Sequence, residues 1–85
     1  MIARDKILQV FADLKLKGKW DGNEFRADLP SDFDKPGLLK KIEAELKIKG
    51  MQSKHDEENS RLIIKHAGET HEISHKPGRL SYFRR

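Results

Sequence analysis

Hydrophobic residues recur with two different periods along the chain, and the switches between periods mark out its elements. In IARDKILQVFADL, Ile7, Val10, Phe11 and Leu14 fall at i, i+3, i+4 and i+7, which predicts an amphipathic helix over about residues 3–13. The following LKLKGKWDGNEFRADLP changes to period two, with Leu14, Leu16, Gly18 and Trp20 alternating with Lys15, Lys17 and Lys19. Asp21-Gly22 has the composition of a two-residue type I′ turn, whose central residues both need positive φ. Folding there sets Leu14 opposite Leu29, Leu16 opposite Ala27 and Gly18 opposite Phe25. It also predicts Lys15–Asp28 and Lys19–Glu24 as cross-strand charge pairs.

Pro30 ends this hairpin, and Ser31, Asp32 or Asp34 is placed to cap a second helix beginning near Pro36. Leu39, Ile42 and Leu46 form its apolar stripe, and Gly50 is its expected stop. From Met51 the pattern is that of a β-meander, GMQSKH, RLIIKHA and THEISH, with the acidic loop DEENS and then Gly68-Glu69 between strands. The second turn predicts His66 opposite His71, Lys65 opposite Glu72, Ile64 opposite Ile73 and Leu62 opposite His75. A buried row of Met51, Ile64 and Ile73 follows. Pro77-Gly78 suits the centre of a type II turn, and folding back there sets Leu80 opposite His75 and Tyr82 opposite Ile73 as a fourth strand.

These elements predict an α+β fold in one domain over residues 1–85, with two helices packed on one face of an antiparallel β-sheet, in the order α-β-β-α-β-β-β(-β). Residues 76–85 are expected as a basic, partly ordered C-terminal tail or edge strand. A winged helix is the alternative, with NEFRADL as a short helix, LLKKIEAELKIKG as the recognition helix and DEENS as the wing tip. The Phe25, Ala27, Leu29 alternation favours the strand.

Composition narrows the partners. The chain has 85 residues, 38% of them charged, a formal charge of +4 and no cysteine. Without thiols there is neither a disulfide framework nor a thiolate zinc site, which suits a reducing cytoplasm. MIARDKILQVF interrupts its apolar residues with charge, so neither a signal peptide nor a membrane span is expected there. Lys76, Arg79, Arg84 and Arg85 supply the whole positive excess, because the rest of the chain is balanced.

Candidate chemistry is sparse. His66 and His71, directly opposed in the expected register, could meet one metal ion with Glu69, Glu72 or His55, but the spacing matches no zinc motif. Ser53, Ser60, Ser74 and Ser81 lack a motif that would pair them with an oriented base, Glu57 and Glu58 fall in a loop, and the glycines are isolated. No catalytic residue, metal or cofactor is therefore expected. The segment LIIKHAGETHEISHKPG, taken with LLKKIEAELKIKG, resembles HicA-type mRNA interferase toxins, small proteins with a double-stranded-RNA-binding-like helix and three-strand sheet. NSR at 59–61, HAGE at 66–69 and HKPG at 75–78 stand at that family's turn motifs. The resemblance implies RNA binding, while the position of its catalytic histidine holds Arg61 and residues 1–35 have no counterpart.

The expectation is a small non-catalytic nucleic-acid-binding protein, RNA before DNA, using Lys15, Lys17, Lys19 and Arg26 on a hairpin face and Arg79, Phe83, Arg84 and Arg85 in the tail. A protein-interaction module, binding through a sheet edge or an apolar patch, is the alternative.

Overall fold

The computed structural model describes residues 3–85, arranged as α1 (Ala3–Asp13), β1 (Gly18–Asp21), β2 (Glu24–Asp28), α2 (Leu38–Ile48), β3 (Ser53–Asp56), β4 (Arg61–His66), β5 (Glu69–Lys76) and β6 (Arg79–Arg84). NEFRADL forms strand β2, so the α+β arrangement holds and the winged helix does not. Both helix stripes are buried, Ile7, Val10 and Phe11 from α1 and Leu39, Ile42 and Leu46 from α2. The helices end alike. Past α2, Gly50 takes φ 82° while the Met51 amide donates to the Leu46 carbonyl at 2.9 Å, the closing bond of a Schellman motif. Past α1, Lys15 takes φ 61° and the Leu16 amide reaches the Phe11 carbonyl at 2.8 Å. Lys15 thus closes a helix and does not pair with Asp28. The cap position of α2 is Gly37, at φ 97° and without a capping side chain, so none of Ser31, Asp32 and Asp34 caps it, and Asp34 bonds His75 and Gly78 instead.

The six strands form one antiparallel sheet in the order β1-β2-β6-β5-β4-β3. Residues 79–84 are therefore neither a tail nor an edge: β6 lies inside the sheet, between the first hairpin and the meander. Its predicted pairing with β5 holds, with Leu80 opposite His75 and Tyr82 opposite Ile73. Its pairing with β2, Tyr82 opposite Phe25 and Leu80 opposite Ala27, joins segments far apart in sequence.

Two hairpin registers differ from expectation by one step of the turn. The first loop is Gly22-Asn23, so Gly18 faces Ala27, Lys19 faces Arg26 and Trp20 faces Phe25. Asp21 does not take the positive φ that a type I′ turn at Asp21-Gly22 needs, whereas Gly22, at φ 63°, suits the first central position of a type II′ loop. The loop between β4 and β5 is Ala67-Gly68, both with positive φ (51° and 79°), as a type I′ turn requires. His66 then faces Glu69, Ile64 faces His71 and Leu62 faces Ile73. Met51 is buried but precedes β3, where Ser53 is the residue opposite Ile64.

Alternation puts Ala27, Leu62, Ile64, Ile73, Leu80 and Tyr82 on the face toward the helices, in one core with the helix stripes. Phe11 is the pivot, with its ring centroid 5.8 Å from Phe25 and 6.3 Å from Tyr82. Gly18 permits that packing: a Cβ there would lie 2.4 Å from the Arg26 carbonyl oxygen and 2.8 Å from the Phe25 ring.

An inner β6 makes a sharp stability prediction. Leu80→Ala, at a position 1% exposed, is expected to cost about 2–5 kcal/mol in urea unfolding, and removal of residues 79–85 to abolish the cooperative transition. A truncated chain that still unfolds cooperatively would show that the sheet closes without β6.

Candidate nucleic-acid interface

Neither helix packs on the other face of the sheet, and strand alternation assigns its residues. Lys19, Arg26, Lys54, Arg61, Lys65, Lys76, Arg79 and Arg85 project there, against Asp21, Glu24, Asp28, Asp56 and Glu72. Eight basic and five acidic residues leave this face with an excess of +3, most of the chain's formal +4. One cross-strand row runs Lys19, Arg26, Ser81, Ser74, Arg61, Asp56. Its two central serines are short and are screened by longer neighbours, so both are buried although no element covers them.

The carboxylates on this face are largely committed to neighbours. Glu72 is buried and accepts from Ser74 Oγ at 3.0 Å and from Arg61 at 3.2 Å, and Arg85 also binds it. Arg61 bridges onward to Asp56 at 3.0 Å. Arg26 pairs with Glu24 at 2.8 Å and Asp21 at 3.1 Å, and that guanidinium holds the Glu24 carboxyl below its ordinary range. Among the described residues, Lys19, Lys54, Lys65, Lys76 and Arg79 make no ion pair of this kind. Arg79 Nε is also buried without a hydrogen-bond partner, a donor position that ordinarily costs about 1–3 kcal/mol unless an acceptor arrives.

The eight sequence-predicted residues are not gathered in one place. Lys17, Lys19, Arg26 and Arg79 line a groove of about 440 Å³ beside β1 and β2. Arg85 lines a larger groove of about 910 Å³ with Lys54, Arg61 and Lys65 along β3 and β4. Half-buried Phe83 lies between them, opposite Glu24 and Glu72. Lys15 stands apart at the end of α1. Arg84 shares the face of Leu80 and Tyr82 and pairs with Glu69 at 3.2 Å, so it is not on this surface. Lys54, Arg61, Lys65 and Lys76 were not among the expected residues. The alternation of β4 and β5 carried the signal, but a face becomes visible only when every strand's neighbours are known.

The histidines are dispersed by the observed register. His71 bonds Glu69 at 3.1 Å and Tyr82 at 2.8 Å, whereas His75 bonds Asp34 at 2.8 Å. Among the described residues no group of three or more His, Cys, Asp or Glu could hold a metal ion, and no described helix is long and apolar enough to cross a membrane. Arg61, at the position where the HicA-type resemblance places a catalytic histidine, is an ion-pair bridge. Comparison with protein-family models, with curated proteins and with solved structures finds no match.

Asp34 secures the turn from which β6 starts. Its carboxylate accepts from His75 at 2.8 Å and from the Gly78 amide at 2.8 Å, and these bonds hold its carboxyl below the ordinary 3.8. A pKa lower in the folded than in the unfolded chain stabilises the fold above the unfolded value and ceases to do so as pH falls through the folded one. Asp34→Asn should therefore unfold more readily than the parent above the ordinary 3.8 and approach it as pH falls progressively below that value, read as urea midpoints. A gap that is constant across that value would remove the carboxylate from the account.

Proposed function

We propose that the chain binds single-stranded nucleic acid across the uncovered face of its sheet. The observation that carries this reading is the basic excess of that face together with Arg79, whose buried Nε lacks an acceptor. Phosphates supply acceptors and negative charge at once, and guanidinium groups meet them with paired donors. A strand laid across β6 and β5 would bring phosphates toward Arg79, Lys76 and Arg26, with Phe83 offered as a ring on which a base can stack. Single strands suit the surface better than duplex, because no helix projects from this face to enter a groove. The ion-paired arginines do not oppose the reading, since Arg26 and Arg61 are already oriented by their carboxylates.

The protein-interaction alternative draws less support. The sheet edges β1 and β3 are each 4 residues long and carry Lys19 and Lys54, features that discourage pairing with another strand.

Fluorescence anisotropy with labelled octamers of RNA and DNA tests the proposal. Affinity should fall steeply between about 50 and 200 mM salt, and the Lys76→Ala, Arg79→Ala double variant should flatten the log–log slope by about 1.4, at roughly 0.7 per phosphate contact. Phe83→Ala should cost about 1–3 kcal/mol with little change in slope. Absence of binding at low salt, or an unchanged slope in the double variant, would refute the reading, while the RNA and DNA arms rank the two sugars.

A further inference from the structure

Arg84 leads to a second site, on the helix side of the sheet and open at the end where the Gly22-Asn23 turn lies. The cleft there has a volume of about 710 Å³, and its floor is formed by His71 and Tyr82, each 1% exposed. The floor is tied together by hydrogen bonds. His71 Nε2 meets Glu69 at 3.1 Å and Nδ1 meets the Tyr82 hydroxyl at 2.8 Å, so neither ring nitrogen is free. Burial pushes the Tyr82 phenol up to about 12, so it stays a donor.

The walls are of a different character. Trp20 is 45% exposed although its ring edges meet Phe25 and Tyr82, with centroids at 5.4 and 6.3 Å. The Arg4 guanidinium lies 5.6 Å from the Trp20 ring centroid. Arg84 has a side chain 64% exposed and pairs with the Glu69 oxygen that His71 does not use. Asn23 adds an amide donor and acceptor to the lining. Two guanidinium groups and one carboxylate line the cleft, and Asp5, from α1, acts on Tyr82 as a further acid.

An exposed indole, two planar cations and an amide suit a ligand that is planar at one end and anionic at the other. We propose that this cleft binds a nucleoside phosphate, with the base against Trp20 and Arg4, its edge read by Asn23 and Glu69, and the phosphate on Arg84. A free nucleotide and the phosphorylated end of a strand share that chemistry. The site stands independently of the uncovered sheet face, from which it is separated by the sheet itself.

Trp20 is the chain's one tryptophan, so its fluorescence reports on the cleft directly. Titration with AMP should give a saturable change, with adenosine or inorganic phosphate alone at least about tenfold weaker. Arg84→Ala should lose the response and Arg84→Lys retain part of it, each with an unchanged thermal midpoint, whereas the Lys76→Ala, Arg79→Ala variant should respond like the parent. Octamers with and without a 5′-phosphate distinguish the sources: a response to AMP assigns a free nucleotide, and a response confined to the phosphorylated octamer assigns a strand end. No saturable change with either probe, or equal affinity in Arg84→Ala, would overturn the proposal. Failure of the sheet-face reading has a different signature, loss of salt-dependent anisotropy with the Trp20 response intact.

Discussion

The structure depends on the insertion of β6 between β2 and β5. Without it the chain divides into a helix with a two-stranded hairpin, marginal by itself, and a helix with a three-stranded meander. β6 gives ladder partners to both, and its Leu80 and Tyr82 fill the space beneath the helices where the two halves meet. The Phe11 ring, against Phe25 and Tyr82, seals the same junction from above. Because β2 and β6 are distant in sequence, closing this pairing carries a large loop-closure cost and is expected to be the slow step of folding.

Alternation along one strand then serves two surfaces. Arg79, Ser81 and Phe83 point to the uncovered face, and Leu80, Tyr82 and Arg84 to the helix side, where Arg84 emerges past the end of the core. A basic, aromatic segment that reads as a loose arm is thus a rigid divider. Its ion pairs, Arg84 with Glu69 and Arg85 with Glu72, reach acids on β5, so the flanking strand sets the direction of each guanidinium.

Much of this was legible in the residues. Helix stripes placed α1 and α2, Pro77-Gly78 located the last turn, and the pairing of Leu80 and Tyr82 with β5 followed from it. The two hairpins were displaced for a definite reason: moving a two-residue loop by one position shifts the pairing by two, and every side chain keeps its face. Period-two patterning is blind to such a slip, which shows instead in the positive φ of Ala67 and in the absence of one at Asp21. The face of Arg84 was recoverable, since it shares parity with Tyr82. The cleft was not, because Trp20 comes beside Tyr82 only through the β2–β6 pairing, and no local pattern announces which strands become neighbours.

The central functional claim is that ligand lies on the side of the sheet opposite the helices, and amide chemical-shift mapping addresses it most directly. Titrating a single-stranded oligoribonucleotide into isotopically labelled protein is expected to shift Arg26, Arg61, Ser74, Lys76, Arg79, Ser81 and Phe83, with the exposed faces of α1 and α2 unchanged. Shifts concentrated on the outer face of α2, around Lys40, Lys41 and Lys47, with the sheet residues unmoved, would contradict the account.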